Sequence, residues 1–306
     1  MSTIIVPLDG SPYNERTIRT IRSLALACRA SIELTYVLTP GHKHDHLRDE
    51  SAAERYLAGI ASGLVDIGRV ESHVVEGQAT EQILTRVAEV DDSLVVLKVG
   101  EYGSHGRVSS DRVTQDVIRR SSSPVVAIQP SGSMPTGRLE RLLVPLDGSV
   151  LAESILPLVI ELAEGSRASV RLIWVEDLER MSRVYRFSPD VAGEGASIVG
   201  QPAERLEQAA RRYLTEQSSR LASYGIESSW EVLRGPVAAA VSRCAWVQSS
   251  DLILMTTHGR SRLGVLALGS ITQEVLRQSK SPVLILPPLA RERLMRTGSG
   301  LTIAAA

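Results

Sequence analysis

The sequence is short of residues that would mark particular classes of protein. Its 306 residues include two cysteines, Cys28 and Cys244, and lysine occurs only at Lys43, Lys98 and Lys280. The cysteines lie in helical patterns, roughly a domain apart, without neighbouring metal ligands. They therefore predict buried free thiols in a reducing compartment rather than a disulfide framework. The scarcity of lysine, with arginine supplying most of the 34 basic residues, is more typical of genome composition than of a function.

Charge and hydropathy exclude further classes. The 34 basic and 35 acidic residues leave a net charge of −1, so no overall field favours nucleic acid or an anionic membrane. No apolar run approaches the roughly 20 residues that span a bilayer. The sequence opens with the strand pattern MSTIIVPLDGS, without the charged and apolar regions of a signal peptide before it. These features predict a soluble, cytoplasmic protein.

The chain contains a tandem repeat. The recurring segments, with the number of their first residue, are IIVPLDGS (4) and LLVPLDGS (142), SIELTYV (31) and SVRLIWV (169), and SSSPVVAIQP (121) and SKSPVLILPP (279). The first two pairs are offset by 138 residues and the last pair by 158. The second copy therefore carries an insertion, which we place at 177–201, before Gly235, the counterpart of Gly77.

Each copy alternates short apolar segments with amphipathic helical ones. In the second copy, for example, Ile155, Leu158, Val159 and Leu162 recur at helical spacing. Strands that are apolar on both faces and alternate with helices indicate a parallel sheet covered on both sides. The pattern predicts an α/β protein with two tandem doubly wound, five-stranded parallel-sheet domains. We place the domains at 1–130 and 141–288, a Pro/Gly/Ser-rich linker at 131–140, and a tail of unassigned role at 289–306.

The segment from Leu252 to Leu286 carries the clearest functional pattern, a strand, a glycine-containing loop, a helix and a strand. Gly259 and Gly269 have no Cβ, so backbone N–H groups can approach an anion closely. Ser270 stands where the helix begins, and a helix N-terminus offers unpaired donors and roughly half a positive charge. The pattern predicts a phosphate site. An ordinary capping box, with Ser270 bonded to Gln273 and Gly269 as the turn before it, is the alternative.

The spacing of Thr256, Gly259, Gly269 and Ser270 resembles the nucleotide-binding signature of the universal stress protein family, which has glycine at the first of these positions. The resemblance covers nearly all of the chain except the linker, the insertion and the tail. It implies a Rossmann-like fold of the adenine nucleotide alpha hydrolase type. It further implies that the second domain binds ATP, with or without Mg²⁺, and that the protein is a stress-response sensor or regulator rather than an enzyme.

The predicted site combines the ends of two strands. In open parallel sheets, ligands bind beyond the carboxyl ends of the strands where the strand order reverses, so Asp147 and the loop from Thr256 should meet there. Asp147 could accept hydrogen bonds from a ribose or an adenine edge, or serve only the Asp-Gly-Ser turn. The predicted nucleotide-binding residues, several of them implied by the resemblance, are Pro145, Leu146, Asp147, Val175, Met255, Thr256, His258, Gly259, Arg260, Gly269, Ser270, Ile271 and Thr272.

The first copy lacks the phosphate signature. At an offset of 158 the four signature positions hold Lys98, Glu101, Asp111 and Arg112. If the loop of the first copy is shifted by five residues in the alignment, Gly103 and Gly106 match the two glycines before the gap in the signature. Asp111 and Arg112 still replace the glycine and the serine at the start of the helix. Asp111 would interact with the helix dipole in the place of an anion. We predict that the first domain keeps the fold, with at most a nucleoside notch at Asp9, and does not bind triphosphate.

Other functions are weighed against this prediction. A dinucleotide-binding dehydrogenase needs Gly-x-Gly-x-x-Gly and a P-loop enzyme needs Gly-Lys-Ser/Thr, and both patterns are missing. A slow ATP-hydrolysing enzyme and a paired scaffold that binds no nucleotide stay open. The tract at 42–46 alternates histidines, a pattern that binds metals or is simply solvated, and we predict no metal site. The resemblance implies that the two domains pair through their last strands, with homodimerisation as a further option.

Overall fold

A computed structural model describes residues 1–10, 15–39, 49–99, 112–129, 137–177, 201–257 and 268–297. The first copy contains β1 (Thr3–Leu8), α1 (Glu15–Cys28), β2 (Ser31–Leu38), α2 (Glu50–Ser62), β3 (Val70–Glu76), α3 (Ala79–Glu89), β4 (Ser93–Lys98), α4 (Arg112–Arg120) and β5 (Val125–Ile128). The second contains β6 (Arg141–Pro145), α5 (Val150–Glu153), α6 (Leu156–Ser166), β7 (Ser169–Glu176), α7 (Gln201–Ser223), β8 (Ser228–Arg234), α8 (Val237–Val247), β9 (Leu252–Thr256), α9 (Ser270–Gln278) and β10 (Val283–Leu286). A last helix, α10 (Pro288–Thr297), follows.

The described strands form a ten-stranded sheet in the order β3-β2-β1-β4-β5-β10-β9-β6-β7-β8. All neighbours within each copy are parallel, whereas β5 and β10 pair antiparallel, with Val126 opposite Leu284. The prediction of two tandem α/β domains with doubly wound five-stranded parallel sheets is confirmed. In each copy the strand order reverses at the first strand, β1 or β6.

Helices cover both faces of the sheet, as apolar strands require. Alternate residues of one strand point to opposite faces, so Ile4 and Val6 of β1 join one buried cluster and Ile5 joins the other. The first cluster is covered by α1, α2, α6 and α7, and the second by α3, α4, α8 and α9. Both faces of the sheet are therefore buried.

The second copy departs from the first in the helix after its opening strand. The pattern predicts one helix, but the structure has a short α5, a turn at Ser154 and Ile155, and then α6. Pro157 occupies the first turn of α6. Proline has no N–H for the carbonyl four residues earlier, that of Glu153, so the helix cannot run through. The first copy has Arg19 at the equivalent position, inside the uninterrupted α1.

Helix α10 belongs to the segment that the sequence left without a role. Ala290 is fully buried against the larger core cluster. Arg293 forms an ion pair with Asp91 and lies 3.5 Å from the hydroxyl of Ser122, both of which belong to the first copy. The helix therefore contacts both copies.

Both cysteines are free thiols, with Cys244 buried and Cys28 half-buried. Burial raises the pKa of the Cys28 thiol to about 12, and it also raises the pKa of Cys244. Both thiols therefore stay protonated and weakly nucleophilic near neutral pH.

Candidate functional site

The candidate site lies where β6 and β9 part. These strands pair only at Leu142 with Leu252 and Leu143 with Ile253, whereas β6 stays paired with β7 as far as Pro145. Beyond Leu143, the carboxyl ends of β6 and β9 are not hydrogen-bonded to each other, and the gap falls where the strand order reverses. This is the position at which open parallel sheets bind ligands.

A cleft of about 130 Å³ opens at this position. Its walls include every predicted site residue that the structure describes, namely Pro145, Leu146, Asp147, Val175, Met255, Thr256, Gly269, Ser270, Ile271 and Thr272. Ala152, Val237 and Thr257 also line it, and the sequence prediction missed all three. The only sequence feature that could have indicated Thr257 is its position next to Thr256. For Val237 it is the position at the start of an amphipathic helix.

One wall of the cleft is apolar. Leu146 and Met255 are 3% and 7% exposed, and Val175 and Val237 are partly buried beside them. These residues come from strand ends and from the first turn of α8, which the core holds in place. Such a wall suits the face of a flat, weakly polar ring.

The carboxylate of Asp147 is fixed by the turn that follows β6. The backbone N–H and the hydroxyl of Ser149 donate to its Oδ1 at 3.0 and 2.6 Å, and the Ser149 hydroxyl accepts from the Ala152 N–H as the N-cap of α5. Gly148 has φ +75°, a conformation that favours glycine. The Oδ1 atom of Asp147 therefore serves the Asp-Gly-Ser turn, as the alternative interpretation expected. The same hydrogen bonds hold the carboxylate at the cleft.

A buried hydroxyl lies near the same carboxylate. The pKa of Tyr213 is raised, first by burial and then by the negative charges of Glu153 and Asp147. Its ring packs edge-on against Trp174, with centroids 5.7 Å apart. The Tyr213 hydroxyl therefore stays neutral at ordinary pH.

The start of α9 faces the other side of the cleft. Gly269 is the N-cap residue, with φ −58° and ψ 142°, and in the described part of the chain no side chain caps this helix. Ser270 is the first helical residue and is exposed, while the Gln273 side chain donates to the Leu268 carbonyl at 3.1 Å. The capping-box alternative is therefore wrong, because Ser270 lies one residue inside the helix. The first-turn N–H groups are left for another acceptor.

The Thr272 hydroxyl ties the start of α9 to the end of β9. It donates to the carbonyls of Thr256 and Thr257 at 3.2 and 3.1 Å, and Thr272 is 2% exposed. We expect Thr272→Val to lower the free energy of unfolding by about 1 kcal/mol, because the shape is kept while the hydrogen bond that the hydroxyl shares between the two carbonyls is lost. The Thr257 carbonyl still accepts from the Gly269 N–H at 3.1 Å, which limits the loss. Urea unfolding measures the change. In the control, Thr215→Val, the hydroxyl lost bonds only the exposed Arg211 carbonyl, and equal losses in the two variants would contradict the assignment.

The first copy has the same framework with different side chains at the site. Its β1 and β4 also pair over only three residues, from Thr3 to Ile5. Helix α4 ends at Arg120 and α9 at Gln278, and β4 ends at Lys98 and β9 at Thr256, each pair offset by 158. The structure therefore supports the ungapped alignment at the strand end and along the helix, where Lys98 and Arg112 stand at the positions of Thr256 and Ser270.

Several predicted features lie outside the described residues. They are His258, Gly259 and Arg260 of the loop, Asp111 of the first copy, the histidine tract at 42–46, and nearly all of the insertion at 177–201. Within the described ranges, no group of histidine, cysteine, aspartate or glutamate side chains could hold a metal ion. None of the helices in those ranges combines the length and the apolarity needed to cross a membrane.

The described residues form two copies of a doubly wound α/β domain, and the second copy has a cleft where its strand order reverses. The model of the universal stress protein family matches residues 1–129 and 138–287. The chain belongs to this family and contains two of its domains in tandem.

The chain is also similar to individual proteins and solved structures. A universal stress protein of Mycobacterium tuberculosis is 28% identical over 193 residues, which cover 63% of this chain and 61% of that protein. The match thus spans about three fifths of that relative. The crystal structure of a universal stress protein from Archaeoglobus fulgidus shares the fold, with a TM-score of 0.64 and 17% identity over 92% of this chain and 95% of that chain. A universal stress protein in complex with cAMP covers 48% of this chain and 94% of its own, with a TM-score of 0.32 and 19% identity.

Proposed function

We propose that the second domain binds ATP in this cleft and that the protein acts as a regulator or sensor in a stress response. The observation that carries the proposal is the convergence of Asp147, the apolar wall and the uncapped start of α9 on one cleft. The residues that supply these three parts span more than 100 positions of the sequence, from Leu146 to Ser270, and each part suits a different portion of a nucleotide.

The base and the ribose would occupy the strand side of the cleft. The adenine ring would lie against Leu146, Val175 and Met255, where burial of apolar surface favours a flat ring. Asp147 would accept a hydrogen bond from the ribose or the adenine edge, held in place by Ser149. The described cleft is smaller than the 300–1,000 Å³ typical of enclosing pockets, so the rest of the ligand would extend beyond it.

The phosphates would extend towards the start of α9. The N–H groups of Ser270 and Ile271 and the positive end of the helix dipole attract phosphate oxygens. Gly269 keeps the approach free of a side chain, and the small Ser270 follows it. Thr272 holds the helix start against β9, so the donors keep their position without a ligand.

Binding rather than catalysis is the function that the cleft favours. Among its thirteen described lining residues Asp147 is the only one with an ordinary ionisable side chain, and its Oδ1 already accepts two bonds from Ser149. Efficient hydrolysis needs a positioned base or nucleophile with a supporting group. Family members are generally not classical enzymes, and at most a slow hydrolysis of ATP fits this site.

The ten-stranded sheet supports a role for the paired domains. The antiparallel β5–β10 ladder and the packing of α1 on α6 join the copies, and we propose that they act as an intramolecular pseudo-dimer whose interactions respond to nucleotide. A paired scaffold without nucleotide is the second candidate. It is favoured by Thr256, which stands where the family signature has glycine.

Equilibrium dialysis with labelled ATP, with and without Mg²⁺, tests the proposal. We expect close to one nucleotide per chain, because Lys98 and Arg112 replace the small residues of the site in the first copy. A value near two would contradict the loss of the first site, and a value near zero would favour the scaffold. The nucleotide found in protein purified without added ligand provides a second readout. Retained ATP supports a sensor, whereas ADP with measurable turnover supports an enzyme.

A further inference from the structure

Each copy carries a tyrosine on the helix that precedes its third strand. Tyr56 lies on α2 and Tyr213 on α7. Each ring packs edge-on against an aromatic residue of the second strand, with centroids 6.2 Å apart for Tyr56 and Tyr36 and 5.7 Å apart for Tyr213 and Trp174. Tyr36 and Trp174 correspond at the offset of 138 that relates the first two strands of the copies. The same aromatic pair therefore occurs in both copies.

In the first copy the tyrosine hydroxyl is bonded to the turn after β1. The Tyr56 hydroxyl accepts a hydrogen bond from the backbone N–H of Gly10, the residue after Asp9. Burial and then the negative charge of Asp9 raise the pKa of Tyr56, so its hydroxyl stays neutral near neutral pH. This contact ties α2 to the turn that carries the aspartate.

The second copy has a similar turn, but its tyrosine lacks this bond. The φ angle is +75° at Gly148 and +77° at Gly10. The Tyr213 hydroxyl is buried and makes no hydrogen bond of normal geometry with the residues that the structure describes. The carboxylates of Glu153 and Asp147 are nevertheless near enough to affect its pKa. A buried hydroxyl without a partner costs stability, so its presence next to the cleft calls for a physical reason.

Asp147 can supply an acceptor for this hydroxyl. Ser149 donates two bonds to its Oδ1, and a carboxylate provides about four acceptor positions. Asp147 lines the cleft, whereas Glu153 and Tyr213 do not, and the Tyr213 ring packs against the core. In the first copy the equivalent hydroxyl bonds the turn itself. This precedent favours Asp147 over Glu153 as the partner of Tyr213.

We propose that Tyr213 is a positioning residue of the nucleotide cleft and that it acts through Asp147. A bound nucleoside donates to the Asp147 carboxylate from the open side of the cleft, and the Tyr213 hydroxyl donates to the same carboxylate from the core side. Binding then satisfies a donor that has no partner in the free protein, which favours the bound state. The inference rests on the proposed nucleotide-binding function.

Two matched tyrosine-to-phenylalanine variants of the full chain test the proposal. Tyr213→Phe keeps the ring on Trp174 and removes only the unpartnered hydroxyl, so the urea midpoint should not fall. Its affinity for ATP, measured by isothermal titration, should fall at least about 5-fold, because the bond made on binding is lost. Tyr56→Phe removes a hydroxyl that already has a partner. Its urea midpoint should fall, and its affinity for ATP should change less than about 2-fold.

A double-mutant cycle identifies the residue through which Tyr213 acts. Asp147→Asn keeps the size of the side chain but replaces an acceptor oxygen with a donor group. Adding Tyr213→Phe to Asp147→Asn should therefore weaken ATP binding by less than about 2-fold more, because coupled residues are not additive. Glu153→Gln is the matched background. There Tyr213→Phe should still weaken binding at least about 5-fold.

The possible contrary results have different meanings. If Tyr213→Phe lowers the urea midpoint and leaves the affinity for ATP unchanged, Tyr213 is only a structural residue. If its effect on affinity persists in Asp147→Asn, or disappears in Glu153→Gln alone, it does not act through Asp147. Each of these results overturns the role of Tyr213 and leaves ATP binding intact. A wild-type protein that does not bind ATP would overturn the proposed function and this role together.

Discussion

Gly269→Asp combined with Ser270→Arg should weaken ATP binding to the second domain at least about 100-fold. The double change copies the residues that the first domain has at these positions. The new carboxylate would accept the first-turn N–H groups of α9 and repel the phosphates, and the arginine would crowd the approach. Losing two charge-assisted hydrogen bonds at about 1.5–3 kcal/mol each accounts for a 100-fold change, which needs about 2.7 kcal/mol. Isothermal titration with ATP measures the result.

This variant separates loss of binding from loss of folding. Aspartate is a better N-cap than glycine, so α9 should be at least as stable as before, and the urea midpoint should not fall. The matched control is Gln78→Asp with Ala79→Arg. It places the same pair at the start of α3, which also has no side-chain cap but belongs to the first copy. The control should bind ATP like the wild type. Unchanged affinity in the Gly269 and Ser270 variant would remove the phosphate site from α9.

The fold and the outline of the site could be predicted from the sequence because both follow from repetition and periodicity. Apolar strands at matching offsets define two parallel sheets, and in such sheets the carboxyl ends of the strands share one edge. Asp147 and Thr256 are therefore brought to one cleft although they lie 109 positions apart in the sequence. The topology alone accounts for this, without knowledge of any side-chain contact.

The details that were missed depend on local geometry that a pattern does not specify. Ser270 followed by Gln273 fits a capping box, but a shift of one residue in the helix start makes Gly269 the N-cap. Pro157 indicates a break in the helix. The apolar residues at helical spacing around it nevertheless led to the prediction of one continuous helix. The first copy joins α3 and α4 through Arg120 and Glu81, whereas the second copy has Gln278 and Ala239 at these positions. This difference appears only when the two packed helix pairs are compared.

The contact between the two copies contains a position where any side chain is excluded. A Cβ added at Gly165 of α6 would lie 1.8 Å from the carbonyl oxygen of Ala27 of α1 and 2.9 Å from its carbon. Real Cβ atoms essentially never approach other atoms within 3.0 Å. Because the obstacle is backbone, no rotamer change relieves it, and the helices would have to separate by more than about 1 Å in a close-packed interface.

Gly165→Ala should therefore lower the free energy of unfolding by at least about 2 kcal/mol, since overpacking of this kind outweighs the gain of about 0.5–1 kcal/mol that alanine brings to a helix. Urea unfolding followed by circular dichroism measures the loss. Gly59→Ala in α2 is the control, because nothing lies within 4 Å of its added Cβ and the residue is exposed, so this variant should be slightly more stable than the wild type. If both variants gained stability, α1 and α6 would not be in contact in solution, and the pseudo-dimer would lose its main helical support.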